Sequence, residues 1–298
     1  MQLLQVKVLK LKDMEVALKL VSFSFIGIIF SISILAGILG ALLGLGGGII
    51  IIPALTLLLG VDIRYAIGAS VVSIIATSSG AAATYIRDRI TNVRIGMFLE
   101  MATTTGAILG AYLSSLIHAR YLYFIFALVL GYSTLALFRR RNVELAPDTT
   151  PHPLAQKFKL SGSYYDSALQ QEVNYTSSGV PAGFLVMLGA GILSGLLGIG
   201  SGVFKVLAMD MYMKLPMKVS TATSNFMIGV TAATSAGIYF SRGYINPAIA
   251  GPVALGVVLG TVIGTRLMVR LRNATLRKIF LPVLLYISLE MLLKGLKG

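Results

Sequence analysis

The chain has 298 residues, 56% of them hydrophobic and only 12% charged, with a mean hydropathy of +0.86, a balance that excludes an ordinary soluble domain and predicts an all-α, polytopic helical membrane protein. The absence of cysteine removes disulfides, thiolate chemistry and cysteine metal ligands, and two histidines, His118 and His152, are too few for a histidine metal cluster. The 25 basic residues against 11 acidic ones sit in short loops between apolar runs, where they anchor topology on an anionic leaflet; no nucleic-acid partner is expected.

In chain order, residues 1–20 form a basic segment with Lys7, Lys10, Lys12 and Lys19, which by the positive-inside rule predicts a cytoplasmic N-terminus. No cleavable signal is evident, because the first apolar run is too long and continues into glycine-rich sequence. A run of about 20 apolar residues crosses roughly 30 Å of hydrocarbon. About eight candidates follow, at 21–43, 66–85, 97–117, 121–138, 181–198, 219–240, 248–268 and 279–294, with two shorter runs at 46–60 and 203–215. Between them, 139–179 is the only substantial polar stretch. It holds Pro147, Pro151, Pro153 and Tyr164-Tyr165-Asp166, and reads as an extramembrane linker. The expected plan is a first transmembrane repeat over 21–138, the linker over 139–179 and a second repeat over 180–298, as a multi-pass protein of the cell membrane.

The repeat rests on a shift of 154 positions without gaps. Gly37-Ile-Leu-Gly-Ala-Leu-Leu-Gly44-Leu-Gly-Gly-Gly48 falls on Gly191-Ile-Leu-Ser-Gly-Leu-Leu-Gly198-Ile-Gly-Ser-Gly202. Ser70 falls on Ser224, Thr77 on Thr231, Tyr85 on Tyr239, Asn92 on Asn246, and Gly106 and Gly110 on Gly260 and Gly264. Orientation of the copies stays open: even helix counts imply parallel repeats. The basic loops, Arg87, Arg89 and Arg94 in one copy but Arg270, Arg272, Arg277 and Lys278 one loop later in the other, imply inverted ones.

Glycine-interrupted segments at corresponding places in two membrane halves point to a binding site on broken helices. The stretches after the glycines, Ile49–Leu59 and Val203–Met213, are too short to span, and suit half-helices. Their N-terminal amides carry partial positive charge and unpaired donors, which suits an anion. The candidate substrate ligands are therefore Gly46, Gly47, Gly48, Gly200, Ser201 and Gly202, with Ser70, Ser224 and Asn225 near the starts of the following spans and Thr77 and Thr231 behind them. The competing reading is close helix packing at small-xxx-small spacing. Lys205, inside the second short stretch, either supplies charge to the anion or snorkels or pairs with Asp210. Glu100 is either a protonatable gate or an interfacial acid; Asp210 and Glu290 are the other acids in or near apolar sequence.

Gly-x-Gly near 44–48 has no βαβ context, so it is not a dinucleotide fingerprint. Ser201 between glycines has no histidine in a span to pair with, which argues against an intramembrane hydrolase. The Gly106/Gly110 and Gly260/Gly264 pairs are most simply packing faces. No catalytic residue, metal site or cofactor is expected.

These motifs resemble the TauE/SafE family of membrane transporters, often called sulfite exporters. The resemblance is carried by the two glycine copies, the first followed by Pro53 and the second by Lys205-Val206. Pro216…Thr221-Ala-Thr-Ser224, Gly260…Gly264-Thr-Arg266 and the linker phrase at Gly162–Asp166 add to it, and it covers nearly the whole chain from about residue 25. It implies movement of small sulfur-containing anions such as sulfite, sulfonates or sulfoacetate-like compounds. Leu207 stands where many members have proline, and Ser201 where they have a third glycine; the first departure predicts a milder helix break after Lys205. The sequence is thus read as a duplicated secondary transporter working by alternating access, with an anionic substrate, a lipid bilayer and a possible homodimer partner. The alternative is a passive anion channel or a non-transporting membrane interaction protein.

Overall fold

The computed structural model describes residues 23–114, 116–139, 152–167, 169–197, 201–271 and 273–297. The first segment contains α1 (Phe23–Leu43), a short α2 (Gly48–Pro53) running into a π-helical turn (Ala54–Leu58), then α3 (Ile63–Arg87), α4 (Val93–Leu113) and α5 (Ala119–Arg139). After the linker come α7 (Val180–Leu197), a short α8 (Gly202–Leu207) with its own π-helical turn (Ala208–Tyr212), α9 (Met217–Ser241), α10 (Pro247–Arg270) and α11 (Asn273–Lys297). At a shift of 154 the bounds of α2, of its π-helical turn and of α3 fall on those of α8, its turn and α9.

The local chemistry explains these ends. Asp62 caps α3 by accepting from the Arg64 amide at 2.8 Å; Asn92 caps α4 and Asn246 caps α10 with their side-chain oxygens. Proline at 53 and leucine at 207 occupy matching places, yet both are followed by a five-residue π-helical turn. The milder break expected from Leu207 is therefore not found. The wider turn follows from the chain's need to leave a half-length helix, which a proline assists but does not create.

Helix directions follow from which residues meet. Gly68 lies against the Tyr244 carbonyl, Ser78 Oγ donates to the Asn225 carbonyl at 2.5 Å, and Asn92 N donates to Thr223 Oγ1 at 3.1 Å, so α3 and α9 run antiparallel. Arg120 reaches the Gly295 carbonyl and Ser288 the Ala127 carbonyl, so α5 and α11 are antiparallel too. By contrast Gly256, Gly260 and Gly264 of α10 step along Phe30, Ile34 and Ile38 of α1 in the same direction. Gly191 and Gly195 of α7 likewise step along Thr103 and Ala107 of α4. Equivalent helices of the two segments thus point opposite ways, and the segments interlock rather than fold as separate bodies. A Cβ on Gly106, Gly110, Gly260 or Gly264 would run into a facing backbone carbonyl, so these glycines set helix–helix distance.

Three described helices, Phe25–Leu43, Ile63–Arg87 and Pro247–Arg270, are long and apolar enough to cross a membrane; Gly48–Leu58, Arg120–Tyr132 and Val180–Leu196 are shorter apolar stretches. The fold is not purely helical. In the linker, α6 (Pro153–Lys157) leads to an antiparallel hairpin, β1 (Gly162–Asp166) on β2 (Gln171–Tyr175), with Tyr164 opposite Val173. The alternation of polar and aromatic residues over Gly162–Tyr175 carries that signal, and the turn-rich surroundings mask it.

The hairpin is docked. Asp166 and Lys218 form a buried ion pair at 2.7 Å, Tyr164 Oη donates to Asp166 Oδ2, and Asn92 Nδ2 donates to Tyr175 Oη at 3.0 Å. Burial pushes the Tyr175 phenol above its ordinary range, with the Asn92 contact opposing it, so it stays neutral near pH 7. Phe98 packs on both Phe158 and Phe184. The hairpin therefore ties the start of α4 to the start of α9 at one end of the molecule. Gly110→Ala is expected to cost about 1–3 kcal/mol by forcing α4 from α7, read as a lower melting temperature in detergent. Ala107→Gly, which adds no atoms, should stay well inside that loss.

Candidate functional site

The two chain breaks meet inside the protein. Gly44, Gly46 and Gly47 have φ of +71°, +75° and +73°, the left-handed region that favours glycine. Gly46 sits between Ile74 and Ile228, each the twelfth residue of its 25-residue helix, so the first turn lies at the middle of α3 and α9. Gly47 caps α2, and Gly48 is its buried first residue. Of the second turn, Ser201 and Gly202 are described, whereas Gly200 lies outside the described residues. A Cβ on Gly202 would collide with the Gly44 carbonyl, so the two turns touch backbone to backbone.

Side chains from α3 and α9 hold the free helix ends. The Ala41 carbonyl accepts from Tyr85 Oη at 3.1 Å and from Asn225 Nδ2 at 3.0 Å. The equivalent Gly195 carbonyl accepts from Tyr239 Oη at 2.7 Å. Ser224 Oγ donates to the Gly44 carbonyl at 2.7 Å and lies 3.4 Å from the Gly202 carbonyl, bridging both turns. Ser70, at the matching place on α3, is buried, and its carbonyl accepts from Ser73 Oγ. Thr77 Oγ1 would be 3.7 Å from a Cβ on Gly47 while donating to the Ser73 carbonyl. Tyr85 and Tyr239 were legible only as matched positions; nothing in the sequence showed that their phenols cap a broken helix.

Around this meeting point, three buried oxygens have no hydrogen-bond partner among the described residues: Ser201 Oγ, Thr221 Oγ1 and Asn225 Oδ1. The Asn225 amide is oriented by two carbonyls, Ala41 and Thr221, which both require its nitrogen. Its oxygen is therefore a fixed, unused acceptor. Ser201 is also strained, a non-glycine residue at φ +48° where the first turn has Gly47. An unpaired buried polar group costs about 1–3 kcal/mol, so three on residues beside the two turns make this meeting point a candidate site for a polar ligand.

Lys205 is fully buried, and its ammonium is engaged. Nζ lies 3.3 Å from Glu100 Oε2 and donates to Thr231 Oγ1. Glu100 Oε1 accepts from Thr231 Oγ1 at 2.5 Å and from Thr104 Oγ1 at 3.0 Å. Glu100 is 5% exposed, which rules against an interfacial acid, and the partner of Lys205 is this carboxylate on α4. The cluster lies six residues of α9, about 9 Å of helix rise, past Asn225. Asp210 is buried in the π-helical turn after α8. Glu290 is elsewhere, lining an open groove of about 630 Å³ with Ile50, Pro53, Pro282 and Tyr286. No group of three or more metal-ligating side chains occurs among the described residues.

With this geometry in view, comparison with known proteins is informative. The chain matches the family model "Sulfite exporter TauE/SafE" over residues 29–291. It is 28% identical over 277 residues to "Probable membrane transporter protein YunE" of Bacillus subtilis (strain 168), covering 90% of this chain and 98% of that protein. It is 26% identical over 230 residues to "Probable membrane transporter protein YdhB" of the same organism, covering 77% of this chain and 84% of that one. No solved structure gives a significant match.

Removing one member of a buried ion pair typically costs about 3–5 kcal/mol, because the other charge is stranded. Lys205→Met is thus expected to lower thermal stability markedly, and adding Glu100→Gln should recover most of the loss. Equal melting temperatures for the single variant and the wild type would show that the pair is not closed in the membrane.

Proposed function

Because the chain belongs to the sulfite exporter TauE/SafE family of membrane transporters, we propose that it is a secondary transporter that carries a small sulfur-containing oxyanion (sulfite, a sulfonate or a sulfoacetate-like compound) across the cell membrane by alternating access. The observation that carries this reading is the set of unused buried oxygens where the two glycine turns touch. Ser201 and Thr221 hydroxyls donate to the oxyanion, the first amides of α2 and α8 add partial positive charge, and Asn225 Oδ1 receives a protonated oxygen or an amine of the substrate. Ser224 holds the two turns together, and Ser70, Thr77 and Thr231 support them.

In this reading the segments 21–138 and 180–298 are inverted repeats that rock against each other about the α3–α9 crossing. Arg87, Arg89 and Arg94 close α3 and open α4, while Arg270 closes α10 and Lys278 lies near the start of α11. Since α3 and α10 run the same way, both groups sit at one end, which the positive-inside rule assigns to the cytoplasm. That places the start of α1 on the far side, against what the N-terminal lysines alone suggest.

The chain has no cysteine, so single introduced thiols report sidedness directly. Asp88→Cys is expected to label only after the membrane is permeabilised, and Ser241→Cys in intact cells; the opposite pattern reverses the assignment. Purified protein should show a thermal shift with sulfite or a small sulfonate but not with chloride. Asn225→Ala and Ser201→Ala should each weaken that binding roughly tenfold to a hundredfold. Counterflow separates the passive-channel reading, since substrate on the far side accelerates uptake by a carrier and leaves a pore unaffected. Absence of a shift with every sulfur oxyanion would overturn the substrate class.

A further inference from the structure

We propose that Glu100 is a proton-binding site coupled, through Lys205, to anion binding at the glycine turns, so that one proton crosses with each monovalent anion. The inference rests on the transport reading above and deepens it by naming the coupling ion. It starts from a count of protons at Thr231. That hydroxyl has one hydrogen but three polar neighbours: Lys205 Nζ, which donates to it, Glu100 Oε1 at 2.5 Å and the Met227 carbonyl at 3.1 Å. Its hydrogen satisfies either the carboxylate or the carbonyl, not both.

Two complete arrangements follow. With Glu100 ionised, Thr231 donates to Oε1 and accepts from Lys205, and the ion pair is neutral as a whole. With a proton on Oε1, Glu100 donates to Thr231 Oγ1, the hydroxyl turns its hydrogen to the Met227 carbonyl, and no oxygen is left unpaired. Lys205, whose amide donates to the Ser201 carbonyl one turn along α8, then has no counter-charge of its own and offsets the anion held at the glycine turns. The net charge of the buried cluster together with the adjoining anion site is zero in both states, since the anion offsets Lys205 once the proton has neutralised the carboxylate. A buried cluster that would otherwise gain a net charge of one elementary unit is expensive at membrane depth, so anion and proton enter together.

Among the described residues, the other titratable groups on the elements packed against the cluster are few. α7, packed along α4, carries none. α9 brings Lys218, held by Asp166 at the hairpin, and Tyr239, committed to the Gly195 carbonyl. α8 and its π-helical turn bring Lys205 itself, the buried Asp210 and Tyr212, α5 brings Tyr132, stacked on Phe204, and α4 adds Arg94 at its first turn and Tyr112 near its end. The first segment lacks the device: the residues at the shift of 154 are Ile51 for Lys205 and Ala254 for Glu100, while Thr77 matches Thr231. The charge switch is thus confined to one of the two half-helices.

The test uses the full chain in proteoliposomes holding a pH-sensitive dye, with a short alkanesulfonate, monovalent at every pH used, as the probe anion. Wild type is expected to move protons in the direction of the anion, to accumulate the anion about tenfold per unit of pH gradient, and to be indifferent to a potassium–valinomycin potential, because the step is electroneutral. Glu100→Gln should abolish accumulation driven by the pH gradient, and Glu100→Asp should restore it in part. Should Glu100→Gln fail to fold, the wild-type response to membrane potential still decides. Anion flux that follows membrane potential and ignores the pH gradient would overturn proton coupling while leaving the transport reading intact. Loss of all anion flux in wild type would overturn both.

Discussion

A helix that stops inside a bilayer leaves carbonyl and amide groups with no water to satisfy them, each at a cost of several kcal/mol. Here that happens twice, at the ends of α1 and α7. The Ala41 carbonyl is met by Tyr85 and Asn225, the Gly195 carbonyl by Tyr239, and the Gly44 carbonyl by Ser224. All four donors stand on α3 and α9. The antiparallel crossing of these two helices is what allows the chain to break at mid-depth, and the rest of the architecture is arranged around it.

Backbone contact between the breaks has its own consequence. Gly44 and Gly202 approach so closely that neither can carry a side chain, which brings two half-helices to one place from opposite ends of the molecule. Beside that contact, Ser201 Oγ, Thr221 Oγ1 and Asn225 Oδ1 are buried with no hydrogen-bond partner among the described residues. Thr221, Ser224 and Asn225 stand on one short stretch of α9, where Ser224 and Asn225 donate to the broken helix end of α1 and to the turn after it. A substitution such as Asn225→Ala therefore touches both the helix break and the site.

The two segments share geometry but not chemistry. The first half-helix has Pro53 and Ile51; the second has Leu207 and a lysine whose charge is matched by Glu100 from the other segment. A single linker joins the segments, so its hairpin covers one end and ties α4 to α9 through Asn92, Tyr175, Asp166 and Lys218. The likeness of the two segments is therefore one of backbone shape, and the charge is carried by one of the two half-helices.

Composition alone determined that the chain is helical and membrane-embedded, because hydrocarbon admits little else for apolar runs of this length. Local chemistry determined the breaks: runs of glycine allow positive φ, and their recurrence at one spacing marked the same place twice. Ser224 and Asn225 were legible because short polar side chains are conspicuous in an apolar helix. Pairing was not legible. Glu100 and Lys205 are 105 residues apart, and whether either faces lipid, water or the other depends on how α4, α8 and α9 pack. The hairpin was hidden for a similar reason, since its strands gain stability only by docking Asp166 on Lys218. The antiparallel sense of α3 and α9 was decided by tertiary contacts: the basic loops implied inversion and the helix count opposed it, and the meetings of Gly68 with Tyr244 and of Asn92 with Thr223 resolve the conflict, because sequence likeness itself is blind to direction in space.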